Sequence, residues 1–234
     1  MKYAWSCATG FVVFVVFVAL LAGVVQSQKT IATRNAQIGI EPHKTDVFII
    51  RDLLGAPEFE VVQRDLHRKR GEFVRKNTWL RSGEALALSS LKDTSLLRIF
   101  RSSGVLKRIF DHTGMQLQLV PRTDPNQISA LRYAAVGDGI DTHKDGNIYM
   151  GTRWAAIYVV TDDQNAQIEV DGKNVELPPN TLLLFKGDKV DHRVHRRTEE
   201  GERMVVSMLF CDVCMPYTDP FTSLWSFCVR RSFY

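Results

Sequence analysis

From Gln116 to Phe210 the chain breaks into short runs of β-forming residues at nearly even spacing. They are Gln116–Val120, Ile128–Val136, Trp154–Thr161, Gln167–Val170, Thr181–Phe185, His192–Arg196 and Met204–Phe210. Turn signals separate them: Pro121, Gly137-Asp138-Gly139, Asp171-Gly172, Pro178-Pro179-Asn180 and Gly187-Asp188. Gly, Pro and Asp-Gly pairs break a ladder because they set backbone angles or remove a donor. Short strands at this spacing predict a closed or double-sheet β domain, a sandwich or jelly roll.

The stretch before it has a different texture. Asp46–Arg51 (DVFIIR) reads as a strand. Pro57 opens a helical stretch that places Phe59, Val62, Leu66, Phe73 and Val74 near one face. Arg68–Arg70 and Arg75–Lys76 fall on its solvated side. Leu91–Phe110 forms a second helical region, with Asp93, Ser102 and Ser103 as caps or breaks and Gly114 as its stop. The expected fold is mainly β with flanking helices, in one domain, since 234 residues supply one ordinary core. A charged fraction of 24% excludes a disordered tail and a multi-pass membrane protein. A net charge of +4 without a dense basic stripe argues against a nucleic-acid partner. Four Cys exclude a disulfide scaffold.

No charged residue lies between Tyr3 and Gln28, and Phe11–Val25 is apolar throughout. Tyr3–Val25 is long enough to span a bilayer, which takes about 20 residues. A cleavable signal peptide is the competing reading, with Lys2 as its n-region and Val25-x-Ser27 before the cut. The length of the apolar run and the Val before that site favour a single transmembrane anchor. The expected organisation is an anchor over 1–28, a polar stalk over 29–44 and a folded domain over 45–234. That domain has a helical lead-in (45–114) and a β core (115–211). It is expected in the ER or Golgi lumen or another secretory compartment, or secreted if the leader is removed.

His143-Lys144-Asp145 is a His-x-Asp pair. Alone it reads as a turn histidine beside a solvated carboxylate. His192 follows several strands later. Two imidazoles and one carboxylate make the facial triad that holds non-haem Fe(II) and leaves coordination positions open. His195 is a rival to His192. The two differ by an odd number of residues, so on a regular strand only one points inward. Arg203 opens an apolar strand. It fits either an inward fork for a ligand carboxylate or a bridge to Glu199 or Glu200.

The stretches ALRYAAVGDGIDTHKDGNIYMGTRWAAIYVVTD and LPPNTLLLFKGDKVDHRVHRRTEEGERMVVSMLF resemble the core of 2-oxoglutarate- and Fe(II)-dependent dioxygenases. The prolyl 4-hydroxylase-like branch is the most similar. The family order is Tyr-x-x-Gly, His-x-Asp, a Tyr/aliphatic strand, then His-x-Val followed by Gly-x-Arg. The resemblance implies a double-stranded β-helix (jelly roll) packed against the N-terminal helices. It implies Fe(II) on His143, Asp145 and His192, the last preferred over His195 because His192-Arg193-Val194 matches His-x-Val. It further implies Arg203 on the distal carboxylate of 2-oxoglutarate and Tyr133 in the cosubstrate pocket. Val159, with Tyr158 beside it, stands where related prolyl hydroxylases carry a second cosubstrate tyrosine. The His192–Arg203 interval is one residue longer than the commonest family spacing, and a longer turn at Glu199-Glu200 would absorb it.

The implied activity is hydroxylation of a C–H bond with O2 and 2-oxoglutarate, releasing succinate and CO2. The substrate would be a prolyl-type peptide or a small molecule, and ascorbate a further cofactor. A membrane-anchored β-helix binding module without turnover is the alternative. A nucleic-acid demethylase of the same superfamily would carry a second Arg where this chain has Leu209.

Three further features have plain readings. A disulfide among Cys211, Cys214 and Cys228 is expected, because a structural zinc site needs a fourth ligand that is missing here; Cys7 is a small hydrophobe of the apolar segment. Tyr149, Arg153 and Trp154 either line a substrate groove or pack in the core. The arginines of 193–197 either attract an acidic substrate or form a solvated strand edge.

Overall fold

The computed structural model describes residues 46–149 and 151–215. The expected anchor, the stalk and Cys228 lie outside them. Among the described residues no helix is long and apolar enough to cross a membrane.

In chain order the elements are β1 (Val47–Ile50), α1 (Ala56–Arg68), β2 (Val74–Asn77), β3 (Arg81–Leu86), α2 (Ser95–Phe100), α3 (Ser103–Thr113), β4 (Gln118–Leu119), β5 (Ile128–Tyr133), β6 (Gly139–His143), β7 (Arg153–Thr161), β8 (Ile168–Val170), β9 (Lys173–Val175), β10 (Leu182–Phe185), β11 (His192–Val194) and β12 (Arg203–Cys211).

Pro57 sits in the first turn of α1, where its missing N–H has no intrahelical partner to lose, and Glu58 accepts from the Gly55 N–H at 3.2 Å. The helix is shorter than expected. It stops at Arg68, so Phe73 and Val74 leave its face and Val74 starts β2. Gly71 and the β-branched Val74 are poor helix formers, which explains the stop. Arg75 therefore belongs to a hairpin, where it bridges buried Asp138 at 2.5 Å.

The second helical region splits in two. Thr94 accepts from the Leu97 N–H at 3.4 Å to cap α2, and Ser102 accepts from the Val105 N–H at 3.3 Å to cap α3. Gly114, at φ 70°, ends α3 in the left-handed conformation expected of it. Buried Asp65 of α1 accepts from the Leu96 N–H at 2.9 Å and so ties α1 to the start of α2.

All strand pairs are antiparallel, in the order β1-β10-β7-β12-β5-β3-β6-β11-β8-β9, with β2 beside β3 and β4 beside β12. Side chains alternate across β7, β10 and β12. Tyr158, Leu184 and Met208 pack outward against Val62, Leu66, Phe100 and Ile109 of the helices. Val159, Leu183, Phe185 and Val205 point inward and share a second core with Ile168 and Val170 of β8. Strands at opposite ends of the order thus meet across one interior, and the sheet curls as a jelly roll does.

Four strands were not evident in the sequence. The β2–β3 hairpin, β6 and β9 carry polar runs such as GIDTH, whose ladders are fixed by neighbours rather than by apolar alternation. Trp154 is core, 1% exposed, with its ring 5.8 Å from that of Phe48 and beneath the Lys186 ammonium. Cys211 and Cys214 form the disulfide.

Candidate metal centre

β6 and β11 pair in register so that His143 and His192 stand directly opposite each other. Their ring centroids are 4.1 Å apart. Strand alternation separates the two candidate histidines of the β11 region. His192 is buried inside, while His195 turns outward, 2.8 Å from Asn174 Oδ1 and 3.2 Å from Glu169.

Backbone carbonyls orient both inner rings. His143 Nδ1 lies 2.8 Å from the Asp141 carbonyl, and His192 Nδ1 lies 3.0 Å from that of Val190. A carbonyl accepts only from a protonated Nδ1, so in the neutral ring Nε2 is the free donor atom. Burial pushes the His192 pKa down, with Asp145 opposing and His143 reinforcing the shift. This favours the neutral imidazole that a metal requires.

Asp145 follows β6 by two residues. Its N–H donates to the Gly187 carbonyl at 2.7 Å, which fixes the turn against the end of β10. Asp145 Oδ1 is 3.9 Å from His143 Nε2 and 4.0 Å from His192 Nε2. One ligand atom from each of the three residues lies within 4.8 Å of the others. Ligands at about 2.1 Å and right angles around one ion are about 3 Å apart, so closure needs a shift of only about 1 Å. The donor set fits a first-row divalent ion with open positions.

Three neighbours of the triad were not singled out for it from sequence. A Cβ at Gly187 would overlap Asp145 Oδ2, so the turn needs glycine there. Buried Arg153 donates to the Gly146 carbonyl and places Nη2 3.9 Å from Asp145 Oδ2. Phe185 packs edge-on to His192 at 4.6 Å. Gly187 carried only a turn signal, and Phe185 looked like any core residue; neither pattern identifies a role.

Arg203 and Tyr133 are opposite each other on β12 and β5, 3% and 4% exposed. Arg203 donates to the Ala166 carbonyl, and its Nε is 3.8 Å from Asp162 Oδ1. It makes no bridge to Glu199 or Glu200 among the described residues. Burial pushes its pKa down, yet a guanidinium stays charged in a protein. Burial raises the Tyr133 phenol, which remains a neutral donor. A Cβ at Gly83 would come 3.3 Å from the Tyr133 ring, so this glycine makes room for it. Val159 faces the same interior as Tyr133. Tyr158 faces the helices instead and donates to Asn180 Oδ1 at 2.7 Å.

The interval before Arg203 is pinned to the neighbouring loop. Arg197, 2% exposed, donates to Asp163 through both Nη atoms, at 2.8 Å from Nη1 to Oδ1. The Glu202 N–H donates to Asp163 Oδ2 at 2.7 Å, and the Thr198 N–H to Asn165 Oδ1 at 2.9 Å. The Arg197 hydrogen bonds hold the Asp163 pKa down at about 2. Arg193 and Arg196 are also paired, with Glu169 and Asp141.

No family model matches the sequence, and no curated relative matches it. Solved structures do match. A prolyl-4-hydroxylase from Pseudomonas putida is 14% identical, with a TM-score of 0.56 over 72% of this chain and 93% of that one. A prolyl hydroxylase from Trichoplax adhaerens, in complex with a hypoxia inducible factor oxygen degradation domain peptide, is 18% identical. Its TM-score is 0.55 over 80% and 92% of the two chains. An oxidoreductase of the 2OG-Fe(II) oxygenase family from Burkholderia pseudomallei is 10% identical, with a TM-score of 0.59 over 81% and 94%. The chain shares its fold with prolyl hydroxylases and 2-oxoglutarate/Fe(II) oxygenases.

Proposed function

We propose that the chain is an Fe(II)- and 2-oxoglutarate-dependent dioxygenase that hydroxylates a C–H bond of a prolyl-type peptide. The observation that carries this reading is the convergence of His143, Asp145 and His192 within 4.8 Å inside the curled sheet. Buried Arg203 and Tyr133 share that interior face. The likeness to two prolyl hydroxylases supports the peptide substrate.

His143, Asp145 and His192 hold the iron through Nε2, a carboxylate oxygen and Nε2. Arg203 holds the distal carboxylate of 2-oxoglutarate in a low-dielectric wall, where a charge-assisted pair is strong. Tyr133 lines that pocket and donates its phenol proton. Val159, in place of a second tyrosine, leaves Tyr133 and Arg203 to position the cosubstrate. When bound, iron and 2-oxoglutarate supply the oxidising power for hydroxylation by O2, with release of succinate and CO2. Ascorbate serves as an accessory reductant. Tyr3–Val25 anchors the domain in a secretory compartment.

The test is turnover of 2-oxoglutarate to succinate by the full chain with and without Fe(II), with proline-rich peptides as substrates. Succinate should form only with Fe(II), and the peptide should gain the mass of one oxygen atom. Asp145→Ala should cut turnover at least about 100-fold, because one ligand in three is lost. Unchanged turnover in a folded Asp145→Ala protein overturns the reading.

A further inference from the structure

A polar cavity open to solvent lies at the surface beside α2. Its volume is about 530 Å³, and Lys92, Arg98, Arg101 and Arg122 line it with Asp93 and Ser102. Its charge is unusual for this molecule. Elsewhere cations are largely neutralised: Arg193, Arg196 and Arg197 each bridge a carboxylate. Among the described residues none of the four cavity cations makes an ion pair, although Asp93 is beside them.

Arg101 is fixed rather than free to swing away. Its Nε and Nη2 both donate to Gln127 Oε1, at 3.1 and 2.6 Å. Gln127 is itself 3% exposed and donates from Nε2 to the Val120 carbonyl. The acceptor is a neutral amide, so the Arg101 charge stays uncompensated. Burial and the nearby Arg122 both push its pKa down, as two cations facing one space require. Arg98 and Arg101 lie at the C-terminal end of α2, where the helix dipole attracts positive charge. That attraction accounts for one or two cations and leaves Lys92 and Arg122 unexplained. Ser102, the cap of α3, lines the same cavity.

We propose that this cavity binds a phosphate group, carried by a small phosphate ester or by an anionic lipid headgroup. Arginine forks match phosphate oxygens in pairs, and Lys92 adds a point charge. Four positive groups exceed what a single carboxylate balances and suit a dianion. The volume falls in the range of small-molecule sites, about 300–1,000 Å³. The proposal is independent of the dioxygenase reading, because it uses no residue of the metal centre.

Pyrophosphate titrated into the full chain at fixed ionic strength tests it by calorimetry. Phosphatidylcholine vesicles with and without phosphatidic acid form the second arm. The native chain should bind pyrophosphate, phosphatidic acid vesicles or both, and the arms separate the soluble source from the headgroup. The variant Arg98→Gln/Arg122→Gln changes only exposed side chains and keeps the Arg101–Gln127 contact, so it should fold with the native circular dichroism. Its binding should be at least about 10-fold weaker, and Lys92→Gln should give a smaller loss in the same direction. Binding of neither probe by the native chain overturns the proposal. So does equal binding by the folded double variant, which would place the anion elsewhere, as at Arg203.

Discussion

β7, β10 and β12 are buried on both faces, yet the two faces of the sheet handle polar groups differently. On the outer face Asn180 is satisfied on the spot: it accepts from the Leu54 N–H at 3.0 Å and from Tyr158 at 2.7 Å, and donates to the Leu54 carbonyl at 2.9 Å. Thr94 likewise donates to the Leu91 carbonyl and Thr113 to that of Ile109. On the inner face buried His192, Arg153 and Arg203 each contact a backbone carbonyl, and His192 and Arg153 both stand near Asp145. Burial alone therefore does not mark a site. A fully bonded polar group holds a fold together, whereas inward groups that converge store binding capacity at some cost in stability.

The comparison predicts that outer substitutions change stability and inner ones change binding. The largest effect belongs to Phe100→Ala, which empties a fully buried position against Tyr158. It should cost about 3–5 kcal/mol in urea unfolding and leave the 2-oxoglutarate KM of the folded protein unchanged. Arg203→Gln should do the reverse. The KM for 2-oxoglutarate should rise about 10- to 100-fold, equivalent to about 1.4–2.8 kcal/mol, with the unfolding midpoint little moved. An Arg203 variant that unfolds with its KM intact would break the distinction.

Gly187→Ala sharpens it further, since the added methyl meets Asp145. Fe(II) affinity should fall about 10-fold in a metal titration while circular dichroism stays native. The smallest effect concerns the rim. Asp163 has its folded pKa depressed from 3.8 to about 2 by Arg197. A depressed carboxylate pKa adds stability above the unfolded value, and that stability is lost as pH falls through the folded one. Asp163→Asn should thus cost about 1 kcal/mol at pH 7, after allowance for the partial exposure of Asp163. The gap between native and variant should close between about pH 4 and 2 in thermal melts.

Much of the fold was legible where apolar alternation fixes it. β7, β10 and β12 lie within one residue of their expected bounds because each buries both faces. The even–odd rule implied that only one of His192 and His195 points inward, and the match to His-x-Val, not the rule, favoured His192. β6 was invisible although it carries His143. Its five residues include one large apolar side chain, Ile140, and its ladder depends on β3 and β11. The helical lead-in was read too long because Phe73 and Val74 kept the helical period after Gly71 had broken the chain's path. The cavity cations come from three separate segments, so no sequence window reveals them. The run Arg193–Arg197 looked basic, yet folding brings carboxylates to its arginines.

The direct opposition of His143 and His192 has a mechanical consequence. On the proposed ligand set, one ion bolts together two short strands whose ladder shifts register between His192 and Val194. Such a ladder has few hydrogen bonds of its own and would open readily. Metal loading then acts as a clasp on the smaller half of the roll, and slow amide exchange in β6 and β11 becomes a reporter of occupancy without any turnover.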